Sequence, residues 1–235
     1  MFNKTKTKSA FTLAEVLITL VIIGVVAALT IPTAINKYKD EELKSQFKKA
    51  YSTIAQAVQK TEMNDFYGRA YCFFIFPSEI SGSPNIHDVT TIYNDCFSFY
   101  DALAKNLRVE KVCRGNSKSE GCVPEYQTYN PHEVCRQNGQ NWVDNYNYSY
   151  VLSDGTILNV YFEPIPRIYP MFLVDINGHK GPNAYGKDLF NFIIKMDSST
   201  KNVYISPDTF PSCEFPVSGG RKTKEMMQYA LAGKK

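Results

Sequence analysis

The sequence has no excess of one charge sign beyond its first ten residues. It holds 26 Lys and Arg against 23 Asp and Glu, and three of those lysines are Lys4, Lys6 and Lys8. The rest of the chain therefore carries 23 basic and 23 acidic side chains. A surface that binds nucleic acid through phosphate contacts needs a local surplus of Lys and Arg. No nucleic-acid partner is predicted.

The sequence also lacks a recognisable catalytic constellation. His87 stands beside Asp88 and Ser153 stands beside Asp154, but no nucleophile motif frames either pair. Neighbours in sequence rarely face each other productively, so these are interpreted as surface or turn residues. His132 and the cysteines around it fit no common zinc spacing. We expect neither an enzyme nor a zinc protein.

Only one long apolar run is present, at residues 11–35. This run, FTLAEVLITLVIIGVVAALTIPTAI, contains a single ionisable side chain, Glu15. A helix rises about 1.5 Å per residue, so the run exceeds the roughly 30 Å of bilayer hydrocarbon. The lysines before it keep the N-terminus cytoplasmic by the positive-inside rule. The sequence therefore predicts a single-pass membrane protein whose part after Ile35 lies on the side opposite the cytoplasm.

Six cysteines follow the apolar run, an even number that indicates disulfides in an oxidising compartment. Their pairing is left open by the sequence. Cys113 with Cys122 is the favoured pair, because the Gly115 to Gly121 stretch between them can turn sharply. The full set is Cys72, Cys96, Cys113, Cys122, Cys135 and Cys213.

The small residues Ser9 and Ala10 precede the apolar run, whereas an ordinary secretory signal places its small residues after it. The block KSAFTLAEVLITL resembles the processing site of type IV prepilins and type II secretion pseudopilins. In that family a membrane peptidase cuts before the Phe and methylates the new amine. The resemblance implies a leader of residues 1–10, cleavage between Ala10 and Phe11, and N-methylation of Phe11. The chain has Ala10 where the family usually has Gly, and Ala14 where a larger aliphatic is commoner.

The same resemblance gives roles to three residues of the apolar run. It implies that Glu15 pairs with the protonated amine of Phe11 on a neighbouring subunit, which sets the axial register of a filament. Gly24 and Pro32 both weaken a helix. The resemblance implies that this segment is helical in the free subunit and can melt and stretch in the filament. A simple kink at Pro32 in a static helix is the alternative.

The pattern beyond the apolar run predicts an α+β fold, and the resemblance implies that this fold is pilin-like. Helical spacing continues to about Met63, with an apolar stripe from Leu43 to Ala57. A helical segment is also expected between Phe97 and Leu107. From Tyr148 the period is two, and Asp154-Gly155 indicates a hairpin turn. We expect the long helix to pack on an antiparallel sheet of about four strands, with a disulfide-tied insertion between helix and sheet.

The predicted strands after that turn are MFLVDI, NFIIKMD and NVYIS, and KTKEMMQYALAG is expected to form a short terminal helix. The predicted organisation is a leader (1–10), an assembly helix (11–35), an amphipathic continuation (36–63), a variable cysteine-rich insertion (64–147) and a sheet region (148–235).

One loop carries a pattern typical of cation binding. The stretch VDINGHKGPNAYGKDLF places Asp175, Asn177, Asn183 and Asp188 among three glycines. Its opening Asp-x-Asn-Gly is similar to calcium loops, in which glycines let oxygen side chains converge. The loop also resembles the C-terminal loop of pilin-like proteins, where major pseudopilins bind calcium. The twelfth position is Gly186 and not Glu, which excludes an EF-hand. The alternative is that these side chains cap turns.

The resemblance implies a structural subunit, a pseudopilin or minor pilin of a type II secretion, type IV pilus or DNA-uptake system. It also implies a bacterial inner-membrane location with a periplasmic or extracellular C-terminal part, before entry into a filament. The large head favours a minor or tip position. Its implied partners are prepilin peptidase, other copies and related pilin-like subunits, membrane lipid, and an inner-membrane platform protein with its ATPase. The rival interpretation is an adhesin or ligand-binding head mounted on a filament rod, with the cysteine-rich insertion as its binding surface.

Overall fold

The computed structural model describes residues 12–64, 99–127, 147–161, 171–197, 199–200, 202–207 and 216–232. The chain divides into two compact units, Met1–Glu42 and Leu43–Lys235. The predicted processing site, Ala10 and Phe11, lies outside the described residues, as does most of the predicted insertion. Four of the predicted disulfide cysteines also lie outside them: Cys72, Cys96, Cys135 and Cys213.

Helix α1, Leu13–Asn64, begins in the first unit and extends into the second. In the first unit its large apolar side chains are exposed on every side; Val21 and Ile23, for example, have relative exposures of 65% and 63%. It is the one helix in the described ranges that is long and apolar enough to cross a membrane. Gly24 and Pro32 lie within the continuous helix.

In the second unit α1 is amphipathic, as predicted. Phe47, Ala50, Ile54 and Ala57 are buried and Leu43 is partly buried. These positions recur every three to four residues, so they share one face of the helix. The predicted end near Met63 is confirmed, because α1 ends at Asn64.

The sheet is an antiparallel meander whose strands follow one another in sequence order. The predicted turn at Asp154-Gly155 is confirmed, since the Leu152 amide donates to the Thr156 carbonyl oxygen at 2.8 Å. The strands are β1 (Val109–Gly115), β2 (Asn147–Leu152), β3 (Ile157–Tyr161), β4 (Met171–Asp175), β5 (Leu189–Met196) and β6 (Val203–Ser206).

The α+β prediction is confirmed, but the sheet has six strands in the described part of the chain, and not about four. The strand missed is β1, which lies inside the segment interpreted as an insertion. A helical stretch at residues 99–105, α2, precedes it, as the apolar spacing there predicted. Only Cys113 is fully buried in β1, since it is an edge strand with exposed charged side chains. Such a strand lacks the apolar alternation that marks a half-buried one.

The two faces of the sheet have different coverings. The main core joins α1 and α2 to one face, and helix α3, Thr223–Leu231, adds Met226 and Ala230 to it. The Phe47 ring lies 4.9 Å from Phe190 and 5.7 Å from Phe192, measured between ring centroids.

A smaller core covers the opposite face, which we call the far face. Its buried members are Cys113, Cys122, Val123, Ile157, Leu173, Tyr185 and Leu189. The predicted Cys113–Cys122 disulfide is confirmed, and it ties the segment after β1 to this face.

We predict that Phe47→Ala lowers the free energy of unfolding of the head by about 3–5 kcal/mol. Phe47 is 1% exposed and joins α1 to two strand phenylalanines, so its removal leaves a cavity between helix and sheet. Urea unfolding followed by near-UV circular dichroism measures the change. Val112→Ala, at a half-exposed position of β1, is the matched control. A loss no larger than the control's would contradict this packing argument.

Candidate functional site

The first candidate site is the start of α1. The Thr12 backbone amide and hydroxyl each donate to Glu15 Oε2 at 2.8 Å. In return, the Glu15 amide donates to Thr12 Oγ1 at 3.3 Å. This reciprocal pair is a capping box, in which the residue before the helix and the third helical residue satisfy each other's amides.

This capping box was not predicted, although its sequence signal is the Thr-x-x-Glu spacing of TLAE. The prediction for Glu15 was a partner from another subunit. In the single chain Glu15 already has Thr12 as a partner.

The second candidate site lies where two strands begin and end on the far face of the sheet. Asp175 ends β4 and pairs in register with Leu189, the first residue of β5. The Ile176 amide donates to the Asp188 carbonyl oxygen at 2.9 Å. Antiparallel pairing of β4 and β5 thus brings the two ends of the predicted loop together, and both aspartates are fully buried.

Each aspartate holds a turn of this loop. Asp175 Oδ1 accepts from the amides of Asn177, at 3.1 Å, and Gly178, at 2.7 Å. Asp188 Oδ2 accepts from the Asn183 amide and Asp188 Oδ1 from the Ala184 amide, both at 2.7 Å. Turn capping, the alternative considered from the sequence, therefore accounts for three of the four carboxylate oxygens.

Three side-chain oxygens in the loop are left over. Asp175 Oδ2, Asn177 Oδ1 and Asn183 Oδ1 are buried and accept no hydrogen bond from any described residue. Buried oxygens without a donor are destabilising, so such groups usually have a protein, water or ion partner. All four residues predicted from the sequence thus belong to one loop whose oxygens are only partly satisfied by the protein.

Two further residues at this site were not predicted. Tyr126 precedes the short bridge that joins Gln127 to Ala184, and its hydroxyl is buried. The Tyr126 hydroxyl has no hydrogen-bond partner among the described residues, and its polarity slightly opposes the rise that burial causes in the pKa of Asp175. Asn159, on β3, is buried and accepts from the Ser149 hydroxyl. No sequence signal marked either one, because strand pairing and a distant loop bring them to the site.

The electrostatics of the site follow from two buried carboxyl groups placed close together. Burial raises the pKa of Asp175 to about 7, and the charge of Asp188 adds to this rise. Burial also raises the pKa of Asp188, while its backbone donors oppose the effect. In the described ranges neither carboxylate forms an ion pair with a basic side chain.

The donor set here is all oxygen. Two carboxylates and two amide oxygens suit a hard cation such as calcium, which takes six to eight oxygen ligands from carboxylates, amides, carbonyls and water. Among the described residues, no three or more His, Cys, Asp or Glu side chains come together to hold a metal ion; the donor set at this loop is two carboxylates and two amides. The loop fits such an ion because side-chain oxygens of Asp175, Asn177 and Asn183 are buried and have no hydrogen-bond donor among the described residues.

A pH dependence of stability follows. The folded-state pKa of Asp175, about 7, lies above its ordinary value of 3.8, so the folded protein holds this proton more tightly. With divalent cations chelated, we predict that the free energy of unfolding falls between pH 4 and 7, by up to about 1.4 kcal/mol per pH unit. Asp175→Asn should reduce this fall, leaving the smaller part that comes from Asp188, and Asp101→Asn, at an exposed aspartate, should keep all of it. Chemical unfolding across this pH range measures both, and equal slopes in all three proteins would refute the prediction.

Comparison with known proteins identifies the N-terminal segment. Residues 5–31 match the family model of the prokaryotic N-terminal methylation motif. No curated protein and no solved structure matches the chain. The motif and the exposed apolar part of α1 indicate membrane anchoring. The chain therefore carries a prokaryotic N-terminal methylation motif, and this motif, with its long helix and antiparallel sheet, is consistent with a type IV pilin-like protein.

Proposed function

We propose that the chain is a pseudopilin or minor pilin that enters a filament of a type II secretion, type IV pilus or DNA-uptake system. Prepilin peptidase removes residues 1–10 and methylates Phe11. The observation that carries the proposal is the methylation motif at residues 5–31, which leads directly into a helix with exposed apolar side chains.

The physical argument concerns the apolar part of α1. Its exposed side chains include Leu17, Leu20 and Ile22, and a contiguous apolar surface of this extent requires lipid or protein around it. Lipid serves before assembly. In a filament, the same helices from neighbouring subunits surround one another. On assembly the apolar side chains therefore exchange contacts with lipid for contacts with protein, and their surroundings remain apolar.

Glu15 sets the axial position of each subunit relative to its neighbours in the filament. Its partner in the single chain is Thr12, through a capping box. After cleavage the new N-terminus at Phe11 carries a positive charge. A neighbouring ammonium group is a stronger partner for a carboxylate in apolar surroundings than a hydroxyl, because the pair neutralises both charges. A subunit displaced by one helical turn would lose this pairing.

The remaining partners follow from this role. They are the inner-membrane platform protein and the ATPase that extrude the filament, together with related pilin-like subunits. The head starts near Leu43 and continues to the end of the chain. Its size favours a minor or tip position.

We predict that Glu15→Gln leaves membrane insertion intact and abolishes incorporation into filaments. Glutamine is accepted at the third position of a capping box, so the helix start is kept while the charge is lost. Thr12→Ala is the matched variant, because it removes the capping hydroxyl and keeps the charge; it should still assemble. Membrane fractionation and immunodetection in sheared filament fractions measure the two steps.

Filaments at normal yield from Glu15→Gln would refute the charge-pairing role. Loss of filaments from Thr12→Ala alone would show that Glu15 acts only through the helix cap.

Mass spectrometry of the mature chain should find N-methylphenylalanine at its start, and an uncut chain beginning at Met1 would contradict the proposal as a whole.

A second proposal concerns the head. We propose that Asp175, Asn177, Asn183 and Asp188 bind calcium. The observation that favours it is the set of buried, unpartnered oxygens beside two buried carboxylates. A bound divalent cation would neutralise the carboxylate pair and satisfy these oxygens, and so stabilise the end of the sheet between β4 and β5.

Calorimetric titration of the head, Leu43–Lys235, with calcium tests this second proposal. Heat is expected from the unmodified head and not from Asp175→Ala. Asp197→Ala is the control, since Asp197 is an exposed aspartate that caps a different turn. Absence of heat from the unmodified head would remove the calcium proposal and leave the filament proposal unchanged.

A further inference from the structure

The segment after β1 is fixed to the far face of the sheet at two points. The Cys113–Cys122 disulfide ties the middle of the segment to β1. Further along, the Gln127 amide donates to the Asn183 carbonyl oxygen at 2.7 Å, and the Tyr185 amide donates to the Gln127 carbonyl oxygen at 3.2 Å. The second attachment is made to the loop that holds Asn183 and Asp188.

The segment also covers buried groups of the far face. Val123 is buried in the far-face core, and Tyr126 packs against that core. The buried Ser117 hydroxyl accepts from Ser149 on β2 at 2.6 Å. Residues 116–127 therefore lie over the far face beside the carboxylate site, and we call them the lid.

The lid brings one polar atom to the carboxylate site. The Tyr126 hydroxyl is buried and has no hydrogen-bond partner among the described residues. Asp175 Oδ2 is in the same condition. A buried tyrosine hydroxyl normally finds a partner. Tyr126 packs against the core that contains Leu189, the cross-strand partner of Asp175. Burial raises the pKa of Tyr126, and the charge of Asp175 adds to this rise.

We infer that Tyr126 is a positioning residue of the cation site, and that the attachment of residues 116–127 beside Asp175 and Asp188 is coupled to cation binding. The inference rests on the proposed calcium site. With a cation bound, the hydroxyl orients the Asp175 oxygen that the backbone leaves unpartnered. Coupling of this kind is reciprocal, so the attached lid raises cation affinity and a bound cation strengthens the attachment.

Terbium, which takes the oxygen ligands that calcium takes, is the probe for this inference. The full chain in detergent is titrated with Tb³⁺ alone, and emission is excited through tyrosine; added calcium should displace the signal. Tyr126→Phe keeps the ring and removes the hydroxyl. We expect its tyrosine-sensitised emission to remain and its terbium affinity to fall by about tenfold, within the usual range of coupling between sites. Tyr204→Phe, at a half-exposed position of β6, should behave as the unmodified chain.

Gln127→Pro tests the lid separately from the hydroxyl. Proline removes the amide that donates to Asn183, and we expect a similar fall in affinity. The melting temperature in chelator is the readout that separates positioning from a purely structural role. It should be unchanged in Tyr126→Phe, because the ring still packs against the far-face core.

The outcomes separate this inference from the calcium proposal. If the unmodified chain binds neither terbium nor calcium, both are overturned. If it binds and Tyr126→Phe binds equally well, only the role of Tyr126 is overturned. If Tyr126→Phe weakens binding while Gln127→Pro does not, the coupling to the lid is overturned. A fall in affinity for both variants, with normal stability of Tyr126→Phe in chelator, supports the inference.

Discussion

The apolar surface of the first part of α1 is the constraint on which the rest of the structure depends. From Leu13 to Ile35 the helix is apolar on all sides and its large side chains are exposed in the single chain. Such a surface has no stable place in water, so the segment needs lipid or other subunits around it. After Glu42 the same helix becomes one-sided and contributes Phe47 and Ile54 to a core. Because α1 is one continuous helix, the same element carries the exposed apolar surface and contributes side chains to the core of the head.

In the head, an apolar core and a core that includes buried polar groups lie on opposite faces of one sheet. The face covered by α1 is filled by aromatic and aliphatic side chains, among them Phe190 and Phe192. The far face holds buried polar groups between its apolar residues, including Ser149, Asn159 and Asp175. Because side chains alternate along a strand, the same strands supply both faces. The apolar face stabilises the fold, and the far face carries the polar groups with which a polar ligand can interact.

Periodicity was sufficient to predict the elements with strong local signals. The apolar stripe of α1, the Asp154-Gly155 hairpin and the terminal helix each follow from spacing within one segment. Strand β1 was missed because its side chains are mostly charged and exposed, and its place at the edge of the sheet depends on pairing with residues more than thirty positions away. The Cys113–Cys122 pair was predicted because its loop is short and contains glycines at both ends.

The candidate sites divide in the same way. Asp175, Asn177, Asn183 and Asp188 lie in one loop, so a local motif could bring them together in a prediction. Tyr126 and Asn159 reach the site through a backbone bridge and a strand register, which no local pattern encodes. The role of Thr12 was accessible, since the capping spacing is local. It was missed because the carboxylate was considered only as a group needing another subunit.

Glu15 and Asp175 pose the same physical problem in two places, since each carboxylate is placed where apolar surroundings make an unpaired charge costly. Each is first satisfied by nearby groups of its own chain, Glu15 by Thr12 and Asp175 by two turn amides. Each carboxylate can also accept a further partner from outside its own chain. In the proposed function this partner is a neighbouring ammonium group for Glu15 and a divalent cation for Asp175. A local partner for each carboxylate lets the chain fold without a ligand or a second copy. The acceptor capacity that remains is what the proposed assembly and the proposed cation site would use.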